Sequence, residues 1–111
     1  DRGTVGLGEA NPLSGFTEET IDSIVAVVRS TVQKALLGNS WADRTRVVRM
    51  IDPAMVMTRG MVATALLDLQ ARTAGVSVVD LLGGPDGEEL PRFGLLWPVG
   101  AQTPAEDLAD I

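Results

Sequence analysis

Neither cysteine nor histidine occurs among the 111 residues. The first absence excludes a disulfide framework, a thiolate metal site and a cysteine nucleophile. The second removes the commonest general base and the commonest zinc ligand. Aromatic side chains make up only 4% of the chain, so its core has to be assembled from Leu, Val, Ile, Ala and Met. Basic residues are outnumbered 9 to 15, for a net charge of −6, and the pI is near 4.4. That balance speaks against a nucleic-acid partner, which requires a basic footprint, and against an anionic membrane surface. Uninterrupted apolar runs reach only a few residues, far short of the roughly 20 needed to span a bilayer. No stretch resembles a signal peptide, which makes a cytoplasmic setting the default expectation.

Hydrophobic residues amount to 45% and mean hydropathy is +0.18, values that exclude a disordered chain. A chain of this length makes one domain with a modest core. It opens at Asp1 without a methionine, in what reads as a hairpin, and stops at Ile111 inside what reads as a helix. The expectation is a part of a longer protein.

Residues 58–84 organise the chain. Val62, Ala65, Leu66 and Leu69 fall at i, i+3, i+4 and i+7, one face of a helix. Thr58 is placed to cap its start, and Gly75 to take the left-handed conformation past its end. Leu67 lies off the stripe, so burial on more than one side is expected. Asp68 stands alone within the apolar run. A short extended piece, a second apolar turn and the Gly83-Gly84 break follow.

Upstream, Thr4, Gly6 and Gly8 alternate with Val5, Leu7 and Glu9 as in a strand leaving a hairpin. The small residues on one face permit close approach of another element. A dinucleotide loop is excluded because Asn11 holds the place of the third glycine. Glu9 reads as a structural hydrogen-bond acceptor. Residues 10–16, ANPLSGF, form a loop rich in Asn, Pro, Ser and Gly. Thr17 is positioned to cap the next helix, with Glu18 and Glu19 in the first turn beside the positive end of its dipole.

Ile21, Ile24, Val25 and Val28 form the apolar face of that helix, and Ser30-Thr31 marks a break before Gly38. Asn39-Ser40 starts another helix, with Asp43 in a capping-box position, and Asp52-Pro53 ends it. Arg44, Arg46 and Arg49 read as a solvated helix face. Met50, Met55, Met57 and Met61 suit core filling between helices. Residues 85–87, PDG, form a linker turn, and residues 92–97, RFGLLW, read as a strand buried on both faces. Trp97 stands at its C-terminal end, and Thr103-Pro104 opens a further helix.

Three of these stretches, in this order, resemble one family. GLGEA near the start, ALLDLQAR followed by AGVSV and DLLGG, and the strand after the double glycine are similar to the enolase superfamily, in its mandelate racemase and muconate-lactonizing branch. Ser77 stands where that pattern often has proline. The resemblance implies an α+β cap domain, a small antiparallel sheet plus helices, leading into the first βα unit of a TIM-like (β/α)7β barrel. The segment in hand would be mainly helical. Residues 1–86 would form the cap, without its first strands, and residues 87–111 the first barrel strand and the start of the first barrel helix.

The resemblance further implies a Mg²⁺-dependent enzyme that removes the proton alpha to a carboxylate, the metal stabilising the enolate formed. Cycloisomerisation, racemisation or epimerisation would be the outcome, with a sugar-acid dehydratase as the alternative. The metal ligands and catalytic bases would come from later barrel strands, with none in this chain. The loop of residues 10–16 would lean over the barrel mouth, placing Asn11, Leu13, Ser14 and Phe16 within reach of a small carboxylate substrate. Read without the resemblance, it is a plain connector. A homo-oligomer is expected, with no nucleic acid and no membrane as partner. The reading from another class is a non-catalytic helical interaction domain.

Overall fold

A computed structural model describes residues 3–13 and 15–84 of the chain. Its helices are α1 (Ile21–Val27), a π-helical turn (Val28–Val32), α2 (Gln33–Leu36), α3 (Arg44–Arg49), α4 (Val56–Ala74) and α5 (Val78–Leu81). The mainly helical character is as expected. Among the described residues no strand forms, so the cap's small sheet is not seen there. Residues 85–111, with the linker, the strand ending at Trp97 and the helix after Thr103, lie outside the described residues.

The segment from Thr4 to Glu9 has strand-like alternation but runs unpaired among the described residues, because a ladder requires a neighbouring strand. It lies instead along α4. A Cβ at Gly6 would fall 2.1 Å from the Ala65 carbonyl oxygen, and one at Gly8 would fall 2.1 Å from that of Met61. The expectation of close approach through small residues therefore holds, with a helix as the approaching element. The Leu7 amide donates to Asp68 Oδ2 at 2.8 Å, tying the segment down. Asp68, solitary in the apolar run, is thus an anchor, held also by the Arg72 guanidinium at 2.9 Å.

Val32, Ala35, Val47, Ile51, Val62 and Leu66 make the core where α2, α3 and α4 meet. On α4, Thr58, Val62, Leu66 and Ala71 are buried. Ala65 and Leu69 of the anticipated stripe are only half-buried, beneath Gly6 and Gly8. Gly75 ends the helix at φ +73°, as anticipated. Of the four apolar residues assigned to the face of α1, only Ile24 is buried, and Ile21 is 70% exposed. The wider π turn holds Ser30 and Thr31, so the helix continues through the expected break with its phase shifted. Met55 and Met61 pack on the core as expected, whereas Met50 is exposed.

The starts of α1 and α3 differ from the sequence reading. α1 is capped by Thr20, not Thr17, in a reciprocal box with Ser23. Asp43 is itself the cap of α3, accepting from the Arg46 amide at 2.9 Å. α5 begins with a box between Ser77 and Asp80, in which the Ser77 amide donates to Asp80 Oδ2 at 3.0 Å. Proline at that position would lack this donor. The two bonds from Ser77, hydroxyl and amide, hold the Asp80 carboxyl below its ordinary range.

Candidate functional site

α4 starts at Val56, and the residue in its cap position is Met55, whose side chain accepts no hydrogen bond. The orphan amides of the first turn are satisfied from elsewhere. Met57 N donates to Glu19 Oε1 at 2.6 Å and Thr58 N donates to Oε2 at 2.9 Å. The Thr58 hydroxyl adds a third bond to Oε2 at 2.5 Å. Glu19 therefore performs for α4 what a capping side chain performs for its own helix, and its charge faces the positive end of the dipole. The expectation that Glu19 serves the dipole of the helix after it is corrected accordingly. Thr58, anticipated as the cap, is the third helical residue and fully buried.

Glu19 is buried at 8% exposure. Burial pushes its carboxyl upward, but the bonds from the Thr58 hydroxyl, the Thr58 amide and the Met57 amide outweigh it and hold the group below its ordinary value. Both oxygens accept hydrogen bonds from the first turn of α4, so this carboxylate serves as a strut. Glu9, read as a structural acceptor, is exposed and engages no partner among the described residues. The acceptor role belongs to Glu19, whose partners stand 38 and 39 positions away. No local pattern signals such a contact.

The loop of residues 10–16 leads through Thr17 and Glu18 to this strut. Phe16 N and Thr17 N both donate to the Leu13 carbonyl at 3.0 Å, closing a turn with Gly15 at φ +87°. The turn brings Leu13 and Phe16 together at the surface, 57% and 90% exposed. Asn11 is exposed as well. Ser14 lies outside the described residues. Phe16 forms one wall of a hollow of about 320 Å³ whose floor includes Glu19, Ala54, Val56 and Met57. The arrangement offers two apolar side chains on a loop whose base is fixed to the start of the longest described helix. Among the described residues no three acidic side chains gather as metal ligands would, and no helix is long and apolar enough to cross a membrane.

Comparison with known proteins bears on this architecture. The N-terminal domain of the mandelate racemase / muconate lactonizing enzyme family matches residues 1–83. A chloromuconate cycloisomerase of Cupriavidus pinatubonensis is 30% identical over 111 residues, covering 96% of this chain and 29% of its own. The L-Ala-D/L-Glu epimerase of Bacillus subtilis is 32% identical over 87 residues, 76% of this chain and 24% of the relative. Muconate cycloisomerase 1 of Acinetobacter baylyi is 29% identical over 114 residues, 97% and 30% of the two chains. The chain thus spans under a third of the length of these relatives. No solved structure matches it significantly. With the helical frame and the glycine-lined segment on α4 both inside the matched region, which ends at Gly83, the chain belongs to the mandelate racemase / muconate lactonizing enzyme family, in that family's N-terminal domain.

Proposed function

We propose that this chain is the cap-bearing part of an enzyme that abstracts the proton alpha to a carboxylate and isomerises a small carboxylic acid through an enolate. Family membership supports the reading, as do relatives named as cycloisomerases and epimerases, which favour isomerisation over the dehydratase alternative. In this reading the enzyme is cytoplasmic and homo-oligomeric. Mg²⁺ would supply Lewis-acid stabilisation of the enolate. In this reading its ligands and the catalytic bases come from later strands of the barrel.

The cap's share of the work is selection. The observation that carries this is Phe16, 90% exposed on a turn anchored through Glu19 to the first turn of α4. A large apolar side chain held out from a fixed base contacts the apolar part of a substrate and displaces water from it. Leu13 widens that surface, and Asn11 supplies a polar contact at its edge.

The test is kinetic, on the full-length protein. Muconate, chloromuconate and Ala-Glu dipeptides are incubated in D₂O, and deuterium at the carbon alpha to the carboxylate is followed by mass spectrometry. Incorporation with at least one of these acids is expected, and Phe16→Ala and Leu13→Ala should reorder kcat/KM among them. Absence of exchange with every acid sinks the enolising assignment. An unchanged ranking in both variants sinks the selectivity role of the loop.

A further inference from the structure

Arg44 Nη1 and Arg59 Nε are buried, and neither has a hydrogen-bond partner among the described residues. Both side chains, together with Arg49, line one hollow of about 210 Å³ between α3 and α4. Helix register explains the convergence. Arg44 and Val48 are four apart on α3, as are Thr45 and Arg49, so the two pairs occupy adjacent rows on one side of that helix. Arg59 and Ala63 are four apart on α4 and complete the lining from the other helix. The alanine leaves the space that a larger residue would fill.

Three arginine side chains line this hollow in a chain of net charge −6, and several carboxylates of the described residues are engaged elsewhere. Asp43 caps α3 and Asp52 accepts from the Ala54 amide. Glu19 caps α4, while Asp68 holds Leu7 and Arg72. Two arginines outside the hollow do have partners: Arg72 has its carboxylate, and Arg46 reaches the Ala35 carbonyl at 3.5 Å. Like charges brought together away from bulk water repel more strongly than on the open surface. A buried guanidinium N–H without an acceptor adds a desolvation cost. An oxyanion relieves both at once, because its oxygens match the planar donor fork of arginine.

We propose that the hollow between α3 and α4 binds a small, multiply charged oxyanion of the phosphate class, held by Arg44, Arg49 and Arg59 with the Thr45 hydroxyl at its rim. Three cations favour a dianion over a monocarboxylate on charge alone. The arginine run, read from the sequence as a solvated helix face, is on this account one wall of a site. It shares no lining residue with the hollow beside Phe16, so it is independent of the selectivity loop.

Calorimetric titration of the full-length protein with inorganic phosphate, at fixed ionic strength, tests the assignment. Acetate serves as the carboxylate arm. Arg49→Gln changes an exposed side chain at the rim, Arg59→Gln a half-buried one, and Arg29→Gln an exposed arginine outside the hollow. Expected is a saturable phosphate isotherm that Arg49→Gln and Arg59→Gln each weaken about tenfold or more, the loss of one charged hydrogen bond. Arg29→Gln should leave it unchanged, and acetate should bind far more weakly. No saturable phosphate binding overturns the proposal, and so does equal weakening by Arg29→Gln, which marks general charge attraction. Acetate binding as tightly as phosphate overturns the phosphate class. Should Arg59→Gln fail to fold, the Arg49→Gln isotherm decides.

Discussion

The Glu19 carboxylate and the Thr58 hydroxyl meet at 2.5 Å across 39 positions of sequence, and through that contact the loop before α1 becomes the cap of α4. The loop that carries Phe16 and the helix that carries the core stripe are thereby one mechanical unit.

Replacing Glu19 with Ala should destabilise the fold by about 2–3 kcal/mol, because it leaves the buried Thr58 amide and hydroxyl without an acceptor. Glu19→Gln keeps one acceptor oxygen and should cost less. Denaturant unfolding of both variants measures this, and a loss below about 0.5 kcal/mol for the alanine variant would mean the cap is dispensable.

The same group sets an acid limb. Its folded pKa lies below the ordinary value of 4.5, so the folded state binds that proton less readily than the unfolded state. The stabilisation is fully present above the unfolded value and is lost as pH falls through the folded one. Thermal unfolding between neutral pH and pH 3 should show a midpoint falling most steeply below pH 4.5. Glu19→Gln should flatten that fall, and an unchanged slope would assign the limb to other carboxyls.

Two glycines of the same chain should answer an alanine substitution with opposite signs. At Gly6 the new methyl would meet the Ala65 carbonyl and Leu69, both on α4, so the segment has to lift away. A loss of about 1–3 kcal/mol is expected, together with faster hydrogen exchange at the Leu7 amide as its bond to Asp68 breaks. At Gly60, inside α4, a methyl meets nothing within 4 Å. Gly60→Ala should therefore stabilise by about 0.5–1 kcal/mol through helix propensity. A destabilising Gly60→Ala would show that face to be covered.

Core and loop should separate cleanly. Leu66 is 5% exposed in the central cluster, and Leu66→Ala should cost about 2–5 kcal/mol while leaving the ranking of substrates intact. Phe16→Ala should do the reverse, since a side chain 90% exposed has little packing to lose. Loss of stability at Phe16 with no change in ranking would make it a packing residue.

Local chemistry was enough to read α4 from its 3.6-residue stripe, its end from Gly75, and the turn-rich character of residues 10–16. Each of those depends on neighbours within a few positions, and short-range propensity carries such information. The family resemblance was legible for a related reason. Its motifs are backbone requirements, glycines against α4 and at the double-glycine break, that leave a residue-level mark. Tertiary structure alone decided which residue caps α4. Any acid can serve there, and the choice of Glu19 over Thr58 depends on how the segment before α1 lies against the first turn of α4. It also decided that the glycine-rich segment lies on a helix and that Arg59 joins Arg44 and Arg49 around one hollow. In sequence, Arg59 is separated from those two by a buried isoleucine and a proline turn, and nothing in the 3.6-residue period links residues on different helices.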